Sequence, residues 1–149
     1  MNSYTKEQDE YFMGIALQLA TEAFEADEVP VGAIVVCKGR IIGKGYNQTV
    51  ALNDPTAHAE MLAMTSAFAY LGSRYLKDCT LYVTLEPCPM CAGATYWGQL
   101  SRLVFGASDK KRGYEKFSPK ILHPNTQIVR GVLEGACEII LEEFFRKMR

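Results

Sequence analysis

One stretch of the chain, residues 85–94 with the sequence LEPCPMCAGA, constrains the fold more than any other. It follows residues 80–85, which are rich in the β-branched and aromatic side chains typical of strands. Pro89 stands where a helix accepts proline, because the first helical N–H has no partner within the helix. Cys88 and Cys91 are three residues apart, so one helical turn brings both sulfur atoms to the same side of the helix N-terminus, where thiolates are favoured. Two thiolates directed at one point predict a bound cation, and zinc is the usual one.

A histidine thirty residues upstream of the first cysteine supplies a third candidate ligand. Asp54 and Pro55 resemble an N-cap and a first helical residue, which predicts that the helix carrying His58 begins there. With the two cysteines, His58 gives three ligands and leaves a fourth position for water, as in catalytic zinc sites. Glu60 lies about 200° from His58 around an ideal helix. We therefore expect Glu60 to carry protons beside the water rather than to bind the metal.

The Cys-x-x-Cys motif has two other interpretations, a redox pair and half of a structural zinc site. A redox pair leaves the His58-Ala59-Glu60 run without a role. A closed structural site needs a fourth ligand, for which the chain offers only His123 and single cysteines. We expect His123 not to be a ligand, and a catalytic zinc site accounts best for the motif.

The composition favours a single globular domain over residues 1–149, with 48% hydrophobic and 22% charged residues. The formal net charge of −1 provides no overall basic field, so any nucleic-acid binding requires a local patch. We expect neither a signal peptide nor a membrane span. Cys37, Cys79 and Cys137 lie among apolar residues and are expected to be buried thiols in a reduced, cytoplasmic protein.

The remaining pattern alternates between helical and strand periodicity. A capping box at Thr5 predicts a first helix, and the metal-carrying helix is expected to end at Gly72. The five predicted strands are residues 31–37, 40–46, 80–85, 102–107 and 127–132. Strand, helix and strand in close succession favour parallel pairing. We therefore expect an α/β fold, a three-layer α/β/α arrangement with one mixed five-stranded sheet and helices on both faces.

Two further segments complete the predicted architecture. Residues 108–125, polar and partly basic, are expected to form a loop at the rim of the site with one helical turn. A last helix runs from Glu134 to the end of the chain. Its predicted inner face consists of Ala136, Ile139, Ile140, Phe144 and Met148.

The two metal motifs carry a resemblance to a known family. A His-x-Glu motif with Pro-Cys-x-x-Cys is the signature of zinc nucleobase deaminases, and this chain has it at residues 58–60 and 87–91. Over nearly its whole length the chain resembles the cytidine deaminase superfamily and, within it, the bacterial tRNA-specific adenosine deaminases. The other matching segments are residues 29–33, Asn47, 54–57, 84–86, 92–94, 104–107, 109–113 and 144–146.

This resemblance implies hydrolytic deamination of adenosine to inosine at the wobble position, position 34, of a tRNA anticodon, with one zinc ion per subunit. Glu60 would pass a proton from water to ring nitrogen 1 and help ammonia to leave. Asn47 would hold the base edge, and the backbone around Ala59 and Glu86 would contact the purine. Asp109 would contact a neighbouring sugar hydroxyl while the base is flipped into the pocket. The implied partners are the tRNA anticodon stem-loop and a second copy of the chain in a homodimer.

Two features depart from the family pattern. Residues 114–117, Tyr-Glu-Lys-Phe, stand where small residues and serine are usual. The Cys-Pro-Met-Cys run followed by Tyr96-Trp97-Gly98 resembles guanine deaminases, which act on a free base. Deamination of guanine or of another free nucleobase or nucleoside, with the same zinc chemistry and a small-molecule purine as substrate, is therefore the alternative. A zinc-stabilised binding protein without turnover is a third hypothesis, against which the intact Glu60 argues.

Several of these residues also have a purely structural interpretation. Asn47 is a common turn former, and Asp109 is able to cap a turn. Trp97 is expected to lie in the core or in a dimer interface. Of Phe144 and Phe145, one is expected in the core and the other exposed for stacking. The basic clusters either bind phosphate or are solvated, and they consist of Lys110, Lys111, Arg112, Arg146, Lys147 and Arg149.

Overall fold

The structure, a computed structural model, describes residues 4–148. Its helices are α1 (Lys6–Glu25), α2 (Ala59–Leu71), α3 (Pro89–Trp97), α4 (Tyr114–Phe117) and α5 (Glu134–Lys147). Its strands are β1 (Gly32–Cys37), β2 (Arg40–Tyr46), β3 (Cys79–Leu85), β4 (Arg102–Ala107) and β5 (Gln127–Arg130). The predicted order of elements is confirmed, and β5 ends two residues earlier than predicted.

The five strands form one mixed sheet in the order β2-β1-β3-β4-β5. Strand β1 pairs antiparallel with both β2 and β3, and β3, β4 and β5 run parallel. Lys38 and Gly39 join β1 to β2 with φ values of 52° and 78°, as a two-residue type I′ hairpin turn requires. The parallel β3-α3-β4 unit brings the carboxyl end of β3 and the N-terminus of α3 to one edge of the sheet.

The helices cover both faces of the sheet, as predicted. One apolar layer packs between the sheet and α1 and α5. The other packs against α2 and α3. Two glycines of β2, Gly43 and Gly45, allow α2 to approach closely, because a Cβ at either position would overlap the backbone of α2 at Ala63 or Ala59. The first turn of α2 is thus held directly against the sheet.

The inner face of α5 differs from the predicted one. Phe144 is buried and Ile140 partly buried, whereas Ala136, Ile139 and Met148 are exposed. The helix is turned so that Cys137 faces Gly106 of β4, where a Cβ would overlap the Cys137 sulfur. The missing side chain at Gly106 decides this orientation, and the periodicity of the helix does not reveal it.

The three cysteines outside the metal motif are free thiols. Cys79 and Cys137 are buried, as predicted, whereas Cys37 is only half-buried. Within the described residues, none of the helices combines the length and the apolar character that crossing a bilayer requires.

Candidate active site

The two motif cysteines lie at the N-terminus of α3. Cys88 is the N-cap, Pro89 is the first helical residue, and Cys91 follows within the first turn. Cys91 is buried and Cys88 half-buried. The predicted strand, proline and helix are all confirmed, so both cysteines lie at the end of the helix whose first N–H groups have no partner within it.

His58 is the N-cap of α2, so the predicted helix start at Asp54 and Pro55 is wrong. The Asp54 carboxylate instead accepts hydrogen bonds from the Thr56 N–H (2.8 Å) and hydroxyl (2.6 Å). This local turn uses the carboxylate that would otherwise cap a helix. The chain becomes helical only at Ala59. His58 therefore lies at the N-terminus of α2, next to the cysteines of α3.

The three predicted ligands come together. The Nδ1 atom of His58 lies 3.6 Å from the sulfur of Cys88 and 3.5 Å from the sulfur of Cys91, and all three ligand atoms lie within 4.8 Å of one another. Tetrahedral zinc, with bonds of about 2.3 Å to sulfur and 2.0–2.1 Å to nitrogen, separates these atoms by roughly 3.5 Å. The donor set and its spacing fit zinc.

The thiols and the imidazole ring perturb one another. The Cys91 thiol and the His58 ring stabilise the Cys88 thiolate and lower the pKa of Cys88 to about 4. Conversely, the contact with Cys88 raises the pKa of His58 and of Cys91. One thiolate is thus present at neutral pH even before a cation draws the second proton away.

Glu60 is the second residue of α2, within its first turn, and is only 4% exposed. Burial raises the pKa of Glu60 to about 7, while the charge of His58 and a hydrogen bond from Cys91 oppose this shift. A carboxyl group with a pKa near the working pH both accepts and releases protons. Its position beside the ligand set and its pKa are compatible with the predicted transfer of protons.

Asn47 and Ala59 form one local unit. The side-chain oxygen of Asn47 accepts a hydrogen bond of 2.8 Å from the Ala59 N–H. It thereby satisfies a free N–H at the start of α2, a role usually taken by the N-cap side chain. Since this bond occupies the Ala59 N–H, the NH2 group of Asn47 is the donor that the pair offers to a ligand.

Glu86 and Asp109 join the metal turn to the following loop. The buried Glu86 carboxylate accepts hydrogen bonds from the N–H groups of Asp109 and Glu115, both at 3.0 Å. The Glu86 N–H is also occupied, by the Ala107 carbonyl. One oxygen of Asp109 caps the turn by accepting from the N–H groups of Lys111 (3.1 Å) and Arg112 (3.0 Å).

The loop of residues 108–125, which we call the rim loop, contains the single helical turn predicted for it, α4. Lys110, Lys111 and Arg112 are all exposed on it. At the C-terminus Lys147 forms an exposed ion pair with Asp27, whereas Arg149 lies outside the described residues. The rim loop therefore carries the basic cluster adjacent to the site.

The remaining candidates lie apart from the ligand set. His123 belongs to the rim loop, where its ring accepts a hydrogen bond from the Asn125 N–H, and it is absent from the metal-binding group within residues 4–148. Trp97 is 77% exposed, so it is not a core residue. Phe144 is buried and Phe145 exposed, as predicted.

Sequence reasoning did not assign a role to two buried carboxylates that shape the site. One is the side chain of Glu86, predicted only as a backbone contact. The other is Glu28, which accepts hydrogen bonds from the N–H groups of Val50 (3.2 Å) and Ala51 (2.9 Å) in the loop leading to His58. Both bind backbone groups distant in sequence, so no local pattern marks them.

Comparisons with known proteins agree with this geometry. The model of the cytidine and deoxycytidylate deaminase zinc-binding region matches residues 6–107. A tRNA-specific adenosine deaminase of Aquifex aeolicus is 46% identical over 145 residues, which span 94% of this chain and 95% of that protein.

Two solved structures have similar folds. One comes from a study of A-to-I editing by tRNA:A34 deaminases at the wobble position; it is 42% identical, has a TM-score of 0.82, and the match covers 88% of this chain and 99% of that one. The other, a guanine deaminase from Nitrosomonas europaea, is 30% identical with a TM-score of 0.81, and the match covers 91% of this chain and 83% of that one.

Proposed function

Because this chain belongs to the cytidine and deoxycytidylate deaminase family, we propose that it hydrolyses adenosine to inosine at wobble position 34 of a tRNA anticodon, using zinc. The observation that carries the proposal is the combination of a complete His-Cys-Cys and glutamate site with similarity to tRNA-specific adenosine deaminases over nearly the whole chain. The site indicates the type of reaction, and the similarity to tRNA-specific adenosine deaminases over nearly the whole chain indicates the substrate.

The ligand set we assign to zinc is His58, Cys88 and Cys91, whose spacing fits a tetrahedral ion. In such a site zinc acts as a Lewis acid that makes water acidic enough to act as a nucleophile near neutral pH. The protein holds the three ligands at two helix N-termini, packed against one sheet edge. This arrangement fixes the position at which water and the purine meet.

We assign the proton transfers to Glu60. Its burial places the pKa of its carboxyl group at about 7, so it takes a proton from water and later gives one to ring nitrogen 1 of the base. Glu60 then carries the proton of the hydroxyl group added at carbon 6 to the exocyclic amino group, and the C–N bond breaks to release ammonia as the carbonyl group of inosine forms.

The substrate contacts follow from the groups left free around the ligand set. The NH2 group of Asn47 offers a donor to the edge of the base, since its oxygen is committed to Ala59. Asp109 stands at the start of the rim loop, and the turn occupies one of its oxygens, Oδ1. The other oxygen is available to a sugar hydroxyl beside the flipped nucleotide. Lys110, Lys111 and Arg112 follow Asp109 in the chain and are exposed, so they provide the accessible positive charge that phosphate binding requires.

A homodimer fits the exposed face of α3. Met90, Tyr96 and Trp97 present apolar surface on this helix, with Trp97 77% exposed. Exposed aromatic clusters of this kind favour burial in an interface. Sedimentation velocity of the wild type and of Trp97→Ala checks the dimer.

A tRNA substrate and five free cysteines also support a cytoplasmic location, because disulfides are rare there.

Guanine deamination is the second candidate, supported by the similar guanine deaminase fold. Of the local features that suggest it, the Cys-Pro-Met-Cys run includes two of the metal ligands, whereas Tyr96 and Trp97 lie at the far end of α3. Trp97 ends α3, eight residues after Pro89, so it stands about 12 Å along the helix from the ligand end. Its resemblance to guanine deaminases therefore concerns the surface of α3 rather than the pocket.

The test is single-turnover deamination by the zinc-loaded protein on two substrates in parallel, an anticodon stem-loop with adenosine at the wobble position and free guanine. We expect inosine in the RNA and no xanthine from guanine. Xanthine formation with an inert stem-loop would replace the proposal with the guanine reaction. A stem-loop carrying guanosine at the wobble position is the matched control for the base.

A further inference from the structure

We propose that the buried carboxylate of Glu86 is a positioning residue, which holds the rim loop so that Asp109 meets the RNA substrate. This inference rests on the proposed function. It concerns the side chain of Glu86, which acts at a distance from the base through another residue.

The first support is the pattern of hydrogen bonds. Glu86 is 5% exposed, and each of its two oxygens accepts one backbone N–H, from Asp109 and from Glu115 at 3.0 Å. Hydrogen bonds to a charged group are about twice as strong as neutral ones. The two bonds lie at the two ends of the segment 109–115, which we call the arch. The carboxylate thus holds the arch in a fixed conformation.

The second support is the space reserved for the carboxylate. Gly113 lies inside the arch, and a Cβ there would overlap the Glu86 carboxylate and approach the carbonyl of Asp109. The Gly113 N–H also donates to that carbonyl at 2.9 Å. A residue without a side chain is thus needed where the loop passes over Glu86.

The third support is the link to the metal. Glu86 precedes Cys88 by two residues, and the intervening Pro87 accepts a hydrogen bond of 2.9 Å from the Tyr114 N–H. The same short segment therefore holds a zinc ligand and the rim loop. It sets the distance between the metal, where the base reacts, and Asp109, where the neighbouring sugar binds.

The consequence is specific to binding of the RNA. A loosened arch leaves the metal ligands and Glu60 in place, so turnover of bound substrate continues. Asp109 then has to be ordered by each incoming RNA, which weakens binding. A carboxylate with a purely structural role would change stability alone.

The test compares kcat and KM for the anticodon stem-loop in Glu86→Gln and in the wild type. Glutamine keeps one acceptor and turns an NH2 group against an N–H, so one of the two bonds is lost. We expect KM to rise about tenfold, equivalent to about 1.4 kcal/mol, with kcat and zinc content unchanged. An unchanged KM, or a fall in kcat at unchanged KM, overturns the proposal. Failure of the wild type itself to deaminate the stem-loop would instead reject the proposed function.

The route through Asp109 is tested by a double-mutant cycle. If Glu86 acts through Asp109, Glu86→Gln adds no further rise in KM to Asp109→Ala. Equal effects of Glu86→Gln in both backgrounds refute this route. Gly113→Ala displaces the Glu86 carboxylate without altering it, so we expect this variant to raise KM in the same way. It replaces Glu86→Gln in the test if that variant does not fold.

The matched control is Asp9→Asn, which changes another buried carboxylate on the opposite face of the sheet. Asp9 is 5% exposed and accepts hydrogen bonds from Arg102 and Tyr82. Its substitution is expected to lower the melting temperature and to leave KM unchanged. A rise in KM for this control as large as that for Glu86→Gln would make the effect one of general stability and overturn the positioning role.

Discussion

Replacement of Glu60 by glutamine tests the proton transfers directly. The amide has nearly the shape of the carboxyl group, so it fits the same buried position at α2 and leaves the three metal ligands untouched. It has no proton to give and does not accept one near neutral pH. General acid–base catalysis contributes about 10²–10⁴-fold to a rate, so Glu60→Gln is expected to slow inosine formation by that factor, or by about 2.7–5.5 kcal/mol in the activation free energy.

The assay is the single-turnover rate with a saturating anticodon stem-loop, together with the zinc content of the same preparation. Because Glu60 is not a predicted ligand, we expect one zinc ion per chain in the variant and in the wild type. The control is Glu142→Gln, an exposed residue of α5 on the opposite face of the sheet, which should leave the rate unchanged. A zinc-loaded Glu60→Gln protein that keeps the wild-type rate would refute the proton-transfer assignment. Loss of rate together with zinc would show that Glu60 supports the metal site instead.

Three further predictions concern the metal and the core. Cys88→Ala removes a ligand, so we expect metal analysis to show loss of bound zinc. Urea unfolding should show loss of the stabilisation that zinc gives, about 4 kcal/mol at a zinc concentration 1,000 times Kd. Undiminished zinc binding would contradict the ligand set. Asp9→Ala leaves Arg102 buried without its ion-pair partner and should lower the free energy of unfolding by about 3–5 kcal/mol. The double variant Asp9→Leu with Arg102→Met replaces the pair by apolar side chains and should recover most of the lost stability. An Asp9→Ala protein as stable as the wild type would contradict the prediction. Tyr114→Phe removes a buried hydroxyl that has no hydrogen-bond partner among the described residues, so the free energy of unfolding should rise by about 1 kcal/mol; a fall of the same size would mean that the hydroxyl is bound by water.

The metal centre was predictable because its signals are local. Cys88, Pro89 and Cys91 share one helical turn, and the strand before them has a clear composition. The spacing of His58 and Glu60 likewise falls within a few residues. Helical periodicity predicts that the two cysteines lie together. His58, thirty residues upstream and at the N-cap of its helix, was identified by the His-x-Glu motif and not by periodicity.

The errors have two causes, a competing local turn and contacts between residues distant in sequence. Asp54 has the side chain of an N-cap, but it binds Thr56 in a local turn. The first N–H group of α2 instead donates to Asn47, which follows directly after β2. The inner face of α5 is set by Cys137 against Gly106, more than thirty positions earlier. The role of Glu86 likewise depends on backbone groups 23 and 29 residues away. Periodicity carries no information about these partners.

The four rim residues that depart from the family pattern now separate into two pairs. Tyr114 is buried against Phe105, and the backbone of Glu115 is held by Glu86. This pair lies beneath the rim and supports it. Lys116 and Phe117 are exposed. The departure therefore changes the support of the rim loop at two positions and its outer surface only at the other two.

This division bears on the choice of substrate. The segment that faces the RNA in our proposal, from Asp109 to Gly113, keeps the family pattern, and its backbone is fixed by the carboxylates of Glu86 and Asp109. The large side chain of Tyr114 fills the core, and residue 115 supplies a backbone N–H to Glu86, as any residue except proline would, so both positions are compatible with this shape. A difference in RNA recognition between this chain and its relatives is therefore expected at Lys116 and Phe117, an exposed cation stacked on an exposed aromatic ring, which are groups that bind phosphate and base.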